Sequence, residues 1–165
     1  MQPSAGLGGI FYFARRDETA SAQLRKTLEL YPNRASLQHM LALVFSRQGQ
    51  HQEAVKLERQ AVASSTSLTH RAWLAYALAR AGQRTEALSL LRELQQRALH
   101  ERVSPIYFAR IYVGLNDHEQ ALQWLRKIYD EHSDHILSLG VEPVYDPLRA
   151  DPRFQEMLRG VGLTK

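Results

Sequence analysis

An all-α fold, four helix–turn–helix units stacked as a solenoid with a C-terminal capping segment, is what this sequence predicts. Three observations carry the prediction. The 165 residues are rich in alanine, leucine, glutamine, glutamate and arginine and sparse in β-branched residues and glycine, a composition that favours helix. The chain repeats itself with a period of 33 or 34 residues. Within each period, apolar residues recur at i and i+4, the spacing of one helical face.

The repeat is carried by three columns. A small residue recurs at Ala20, Ala54, Ala87 and Ala121, with spacings of 34, 33 and 34. A turn residue recurs at Gly49, Gly82 and Asn116, and a third column follows the alanine by four positions at Leu24, Glu58, Leu91 and Leu125. Each column has a physical role. The turn must adopt a left-handed backbone, which glycine enters without strain and asparagine tolerates. The alanine marks the closest approach of two helices, where a larger side chain would force them apart. The pairs Leu7/Phe11, Leu41/Phe45, Leu74/Leu78 and Phe108/Tyr112 form the inward stripe of each first helix.

These columns place helices at roughly 3–14 and 17–31, 34–48 and 51–64, 68–81 and 84–99, and 104–115 and 118–132. Ser104-Pro105 reads as an N-cap with proline at the first helical position. The units are 1–34, 35–67, 68–101 and 102–134, and residues 135–165 form the cap. A solenoid exposes an apolar end face unless its terminal unit is modified. Ile136, Leu137, Leu139, Val141, Val144, Tyr145, Leu148, Phe154, Met157 and Leu158 are expected to cover that face. Asp146-Pro147 and Asp151-Pro152 each read as a cap and first-turn proline, the second opening a helix of about 152–159 that Gly160 closes.

The pattern resembles the tetratricopeptide-repeat (TPR) family over residues 1 to about 134. Leu7, Gly8, Phe11, Ala20, Leu24 and Pro32 carry the likeness in the first unit. Leu41, Ala42, Phe45, Gly49, Ala54 and Ala61 carry it in the second; Leu74, Ala75, Gly82 and Ala87 in the third; Phe108, Ala109, Tyr112, Asn116 and Ala121 in the fourth. Arg15 stands where the first unit's turn glycine belongs. The resemblance implies a right-handed superhelix that binds proteins and catalyses nothing. From Val103 to Phe154 the chain is similar to the C-terminal end of long bacterial TPR proteins, in which such an array follows a kinase, cyclase or winged-helix domain. No such domain is read in this sequence, and the Gly-rich phosphate loop, His-Arg-Asp and Asp-Phe-Gly motifs of a kinase are absent, so the resemblance implies a detached or truncated sensory or scaffolding portion.

Composition narrows the function further. The charge of +4 is spread along the chain among acids, which argues for a solvated surface and against nucleic acid as a partner. No apolar run reaches the roughly 18–20 residues of a membrane span, and Gly6–Ala14 lacks the flanks of a signal peptide, so membrane insertion is not expected and a cytoplasmic setting is. The absence of cysteine removes disulfides, thiolate metal sites and a cysteine nucleophile. No cofactor is expected. Asp130, His132, Asp134 and His135 form the nearest approach to a metal motif, with two histidines three apart. No third ligand is fixed by spacing, and the metal reading is set aside. Gly6-Leu7-Gly8-Gly9 lacks the lysine and strand context of a phosphate loop.

The binding surface expected of such an array is its concave face, lined by the first helices. The positions beside the inward stripe are Tyr12 and Phe13; His39, Leu43 and Arg47; Tyr76 and Arg80; and Ile106 and Arg110. Ala5, Gly9, Ala72 and Val113 complete the face. Its arginines and tyrosines predict a basic, aromatic-edged groove for an acidic protein or peptide segment. The family's clamp for a terminal carboxylate needs lysine and asparagine where Ala5, Gly9 and Met40 stand, so that activity is not expected. The alternative is a homo-oligomer formed through Ile10, Phe11 and Phe13 of the uncapped first helix.

Overall fold

A computed structural model describes residues 6–131 and 134–163. It is all-α, a superhelix of consecutive helix hairpins. The hairpins are α1 (Gly6–Phe13) with α2 (Asp17–Leu30), α3 (Ala35–Arg47) with α4 (His51–Ala63), α5 (Leu68–Arg80) with α6 (Arg84–Arg97), and α7 (Pro105–Gly114) with α8 (His118–Asp130). Two 3-10 turns, Asp134–Ser138 and Pro143–Leu148, lead to α9 (Pro152–Gly160).

The columns of the repeat set this geometry. Ala20, Ala54, Ala87 and Ala121 are all completely buried. The turns at Gly49, Gly82 and Asn116 have φ of 78°, 77° and 64°, and Arg15 takes the same left-handed conformation at 59°. The first turn is therefore built like the others despite its arginine. Gly8 is needed for a different reason: a Cβ there would lie 2.4 Å from the Leu24 side chain, so α1 and α2 meet at this point.

The inward stripe is buried at Leu41, Phe45, Leu74, Leu78 and Phe108. Leu7 departs from it and is exposed, because no preceding helix among the described residues packs over that face of α1. The third column is buried throughout, Glu58 included at 1% exposure.

The C-terminal segment does more than the sequence predicts. Ile136, Leu139, Phe154, Met157 and Leu158 are buried, with α9 lying against α8, whereas Leu137 and Val141 are exposed. Pro143–Leu148 packs beside α7 and turns into the concave side. Asp151 caps α9, its carboxylate accepting a hydrogen bond from the Arg153 backbone N–H at 2.9 Å. Asp146 does not cap a helix. Its carboxylate is held by Arg15 and Arg149, and Pro147 falls inside the turn that Pro143 opens.

Candidate functional site

The first helices of the repeats converge on one concave cleft. It has a volume of about 180 Å³ and is lined by Tyr12, Leu43, Ser46, Arg47, Tyr76, Arg80 and Val113 on the repeat side. Pro143, Val144, Asp146 and Pro147 form its opposite wall. Helical spacing accounts for the repeat side: Leu43 and Arg47 are one turn apart on α3, as are Tyr76 and Arg80 on α5.

Acids from elsewhere in the chain engage Arg47 of the cleft and two arginines near it, Arg110 and Arg15. Arg47 donates from Nε to Asp17 Oδ2 at 2.8 Å and from Nη1 to the Tyr12 carbonyl at 3.1 Å. Its guanidinium lies 5.1 Å from the centre of the Tyr12 ring. Arg110 donates to both Glu142 oxygens, at 3.0 and 3.2 Å, and lies 4.5 Å from the Trp73 ring centre. Arg15 donates to Asp146 Oδ1 at 2.7 Å, bridging the first turn and the C-terminal segment. Arg80 differs: it is exposed at the cleft and forms no ion pair among the described residues.

Electrostatics follow from this packing. Burial pushes the Tyr12 phenol well above its ordinary value, and the neighbouring Tyr76 works in the same direction. Burial also raises Tyr76, with Arg80 opposing it. Both phenols stay protonated across the physiological range and offer neutral O–H groups. The Asp146 carboxyl is held below the usual aspartate range, chiefly by the Arg15 hydrogen bond.

The other expected face residues lie outside the cleft. Ile106 is fully buried in the core, which corrects its placement on an accessible surface. Arg110 is nearly enclosed with Glu142 and offers a partner no free charge. His39 turns to Glu58, with Nδ1 2.7 Å from Oε1. Phe13 is partly exposed and meets the Tyr12 ring edge-on, with centroids 5.3 Å apart. Of the association set, Ile10 is exposed at 62%, while Phe11 packs on the core and does not belong to an open face. Ala5 lies outside the described residues.

Two acidic groups escaped the sequence reading. Asp17 begins α2, and Glu142 precedes the turn at Pro143. They meet arginines 30 and 32 residues away in sequence, a pairing that only the stacking of the hairpins creates.

A second cluster lies between repeats. His39 of α3, Glu58 of α4 and His70 of α5 each place one ligand-type atom within 4.8 Å of the other two. Of the cluster around Asp130, His132 lies outside the described residues, Asp130 pairs with Arg126 at 3.0 Å, and His135 is exposed in a 3-10 turn.

The comparison that decides the family is a match to the tetratricopeptide-repeat model over residues 14–140, well over half the chain. The chain belongs to the tetratricopeptide-repeat family. Repeats of this family generally mediate protein–protein interaction and are generally non-catalytic. Comparison with curated proteins and with solved structures finds no match. Among the described residues, no helix of this TPR chain is long and apolar enough to cross a membrane.

Proposed function

We propose that this TPR chain is a non-enzymatic protein-interaction scaffold that takes a short acidic element of a partner protein at the concave cleft. The observation that carries the reading is Arg80, an exposed arginine without an ion pair among the described residues, beside the buried Tyr12 and the half-buried Tyr76. Its guanidinium can hold a carboxylate through two parallel hydrogen bonds. The neighbouring Arg15 and Arg110 already hold Asp146 and Glu142 of the chain's own C-terminal segment, which supports an acidic ligand on this face.

Size limits how the partner binds. About 180 Å³ falls below the roughly 300–1,000 Å³ of pockets that enclose a small-molecule ligand. One partner side chain enters the cleft, and the rest of the segment lies across its mouth. Displacing Pro143–Leu148 is the costlier route, since burial of Val144, Tyr145 and Leu148 contributes about 1.5–3 kcal/mol for each side chain. In this reading units 1–34, 35–67, 68–101 and 102–134 supply the concave surface, and residues 135–165 wall it.

The test compares proteins captured from the source cell by the wild type, Arg80→Glu and Lys56→Glu. Lys56 is exposed on α4, away from the cleft. Partners held by the wild type and by Lys56→Glu are expected to fall at least about tenfold with Arg80→Glu, the worth of one charge-assisted contact of about 1.5–3 kcal/mol. Equal capture by all three contradicts the assignment.

A second reading has its own observation. Leu7, Ile10 and Phe13 are spaced by three on α1 and are 58%, 62% and 46% exposed, an apolar stripe suited to self-association. Sedimentation is expected to show a concentration-dependent dimer that Ile10→Lys converts to monomer. A wild-type monomer throughout the micromolar range removes this reading.

A further inference from the structure

The third column of the repeat contains one chemical exception. Leu24, Leu91 and Leu125 are buried leucines at the second-helix position that follows the packing alanine by four. Glu58 occupies the equivalent position in the second unit and is just as buried. A leucine satisfies the hairpin there three times, so helix packing does not require an acid. Burying a carboxylate without full pairing is costly.

The surroundings of Glu58 are those of a ligand set. His39 reaches Oε1 at 2.7 Å, but Oε2 is buried without a hydrogen-bond partner among the described residues. The same is true of His70 Nδ1. The His39 and His70 rings lie 5.6 Å apart between centroids, and Trp73 closes one side at 5.1 Å from His39. Buried polar atoms in native proteins are nearly always satisfied. Here a carboxylate oxygen and an imidazole nitrogen of one cluster remain without a hydrogen bond among the described residues.

We propose that His39, Glu58 and His70 bind one divalent transition-metal ion, with Zn²⁺ the best fit, and leave a fourth position to water. Two imidazoles and a carboxylate suit Zn²⁺, whereas Ca²⁺ and Mg²⁺ prefer all-oxygen sites. Ligand atoms now lie within 4.8 Å of one another. Tetrahedral bonds of about 2.0–2.2 Å place such atoms roughly 3.3–3.6 Å apart, so an ion would draw the set together while opening the 2.7 Å His39–Glu58 contact. The ion ties the α3–α4 hairpin to α5 of the next unit and acts as a clip between repeats. This site is separate from the concave cleft, and neither proposal rests on the other.

The experiment uses the full chain without a histidine tag, stripped with chelator and titrated with ZnCl₂ by calorimetry and with CoCl₂ by visible absorption. One ion per chain is expected, with a visible Co²⁺ band and a melting temperature that rises as Zn²⁺ is added. Glu58→Leu restores the repeat's own leucine and should keep full helicity. Glu58→Leu and His70→Gln are each expected to weaken Zn²⁺ by more than about 100-fold, beyond the 10–100-fold typical of outer-sphere partners. His132→Ala/His135→Ala should bind as the wild type does. The proposal is overturned if the wild type takes up no stoichiometric ion. It is equally overturned if the folded Glu58→Leu and His70→Gln variants bind as tightly as the wild type, leaving the cluster a buried histidine–glutamate contact.

Discussion

Four residues hold the left-handed turns of the hairpins, and they differ in strain. Gly82 needs only the backbone freedom of glycine: a Cβ there meets nothing within 4 Å. Any cost of Gly82→Ala is therefore conformational, expected at about 1–2 kcal/mol, and urea unfolding monitored by circular dichroism measures it. A neutral result would mean that the turn can leave the left-handed region without disturbing the hairpin. Arg15 adopts the same conformation without glycine's freedom, and its side chain is the one that reaches Asp146. The sequence marks Arg15 as a departure from the pattern, but its partner lies 131 residues away, beyond any local reading. Glu58 was legible in the same limited way. It stands out in a column of leucines, while His39 and His70 join it only when α3, α4 and α5 stack.

At the scale of elements, the hairpins were readable because period and turn chemistry agree. Helix positions follow from the alanine column, the turn residues and Pro105, all local features. The C-terminal segment was less readable because its prolines have two uses. Asp151-Pro152 caps and opens α9, whereas Asp146-Pro147 lies within a 3-10 turn whose acid serves distant arginines. That role gives the segment a pH dependence. Hydrogen bonds from Arg15 and Arg149 depress the Asp146 carboxyl in the folded chain. A depressed folded value adds stability above the unfolded value of about 4, and that stability is lost as pH falls through the folded value. Asp146 is about one-third exposed, so screening keeps the contribution below about 1 kcal/mol. The melting temperature of the wild type should exceed that of Asp146→Asn near pH 6, and the gap should shrink as the pH falls below about 4. A gap that persists or widens in acid contradicts the role assigned to this carboxylate.

At the scale of the molecule, a repeat array that would otherwise present an open groove is walled by its own C-terminal segment. Arg110 with Glu142 and Arg15 with Asp146 fasten that wall at two points. Val144, Tyr145 and Leu148 bury its apolar side. Of the face read from the sequence, Tyr12, Leu43, Arg47, Tyr76, Arg80 and Val113 line the cleft while Ile106 is buried in the core. Spacing could not show which charges were already engaged, because engagement depends on superhelical curvature. The wall leaves a small cleft that Arg80 helps to line. The chain contains no cysteine, so a paired substitution reports this closure without background. Arg15→Cys/Asp146→Cys, treated in dilute solution with a short bis-maleimide, is expected to cross-link within a single chain in high yield and to lose that cross-link in urea. Failure to cross-link under native conditions, or cross-linking only between chains, would show that the C-terminal segment does not cross the groove.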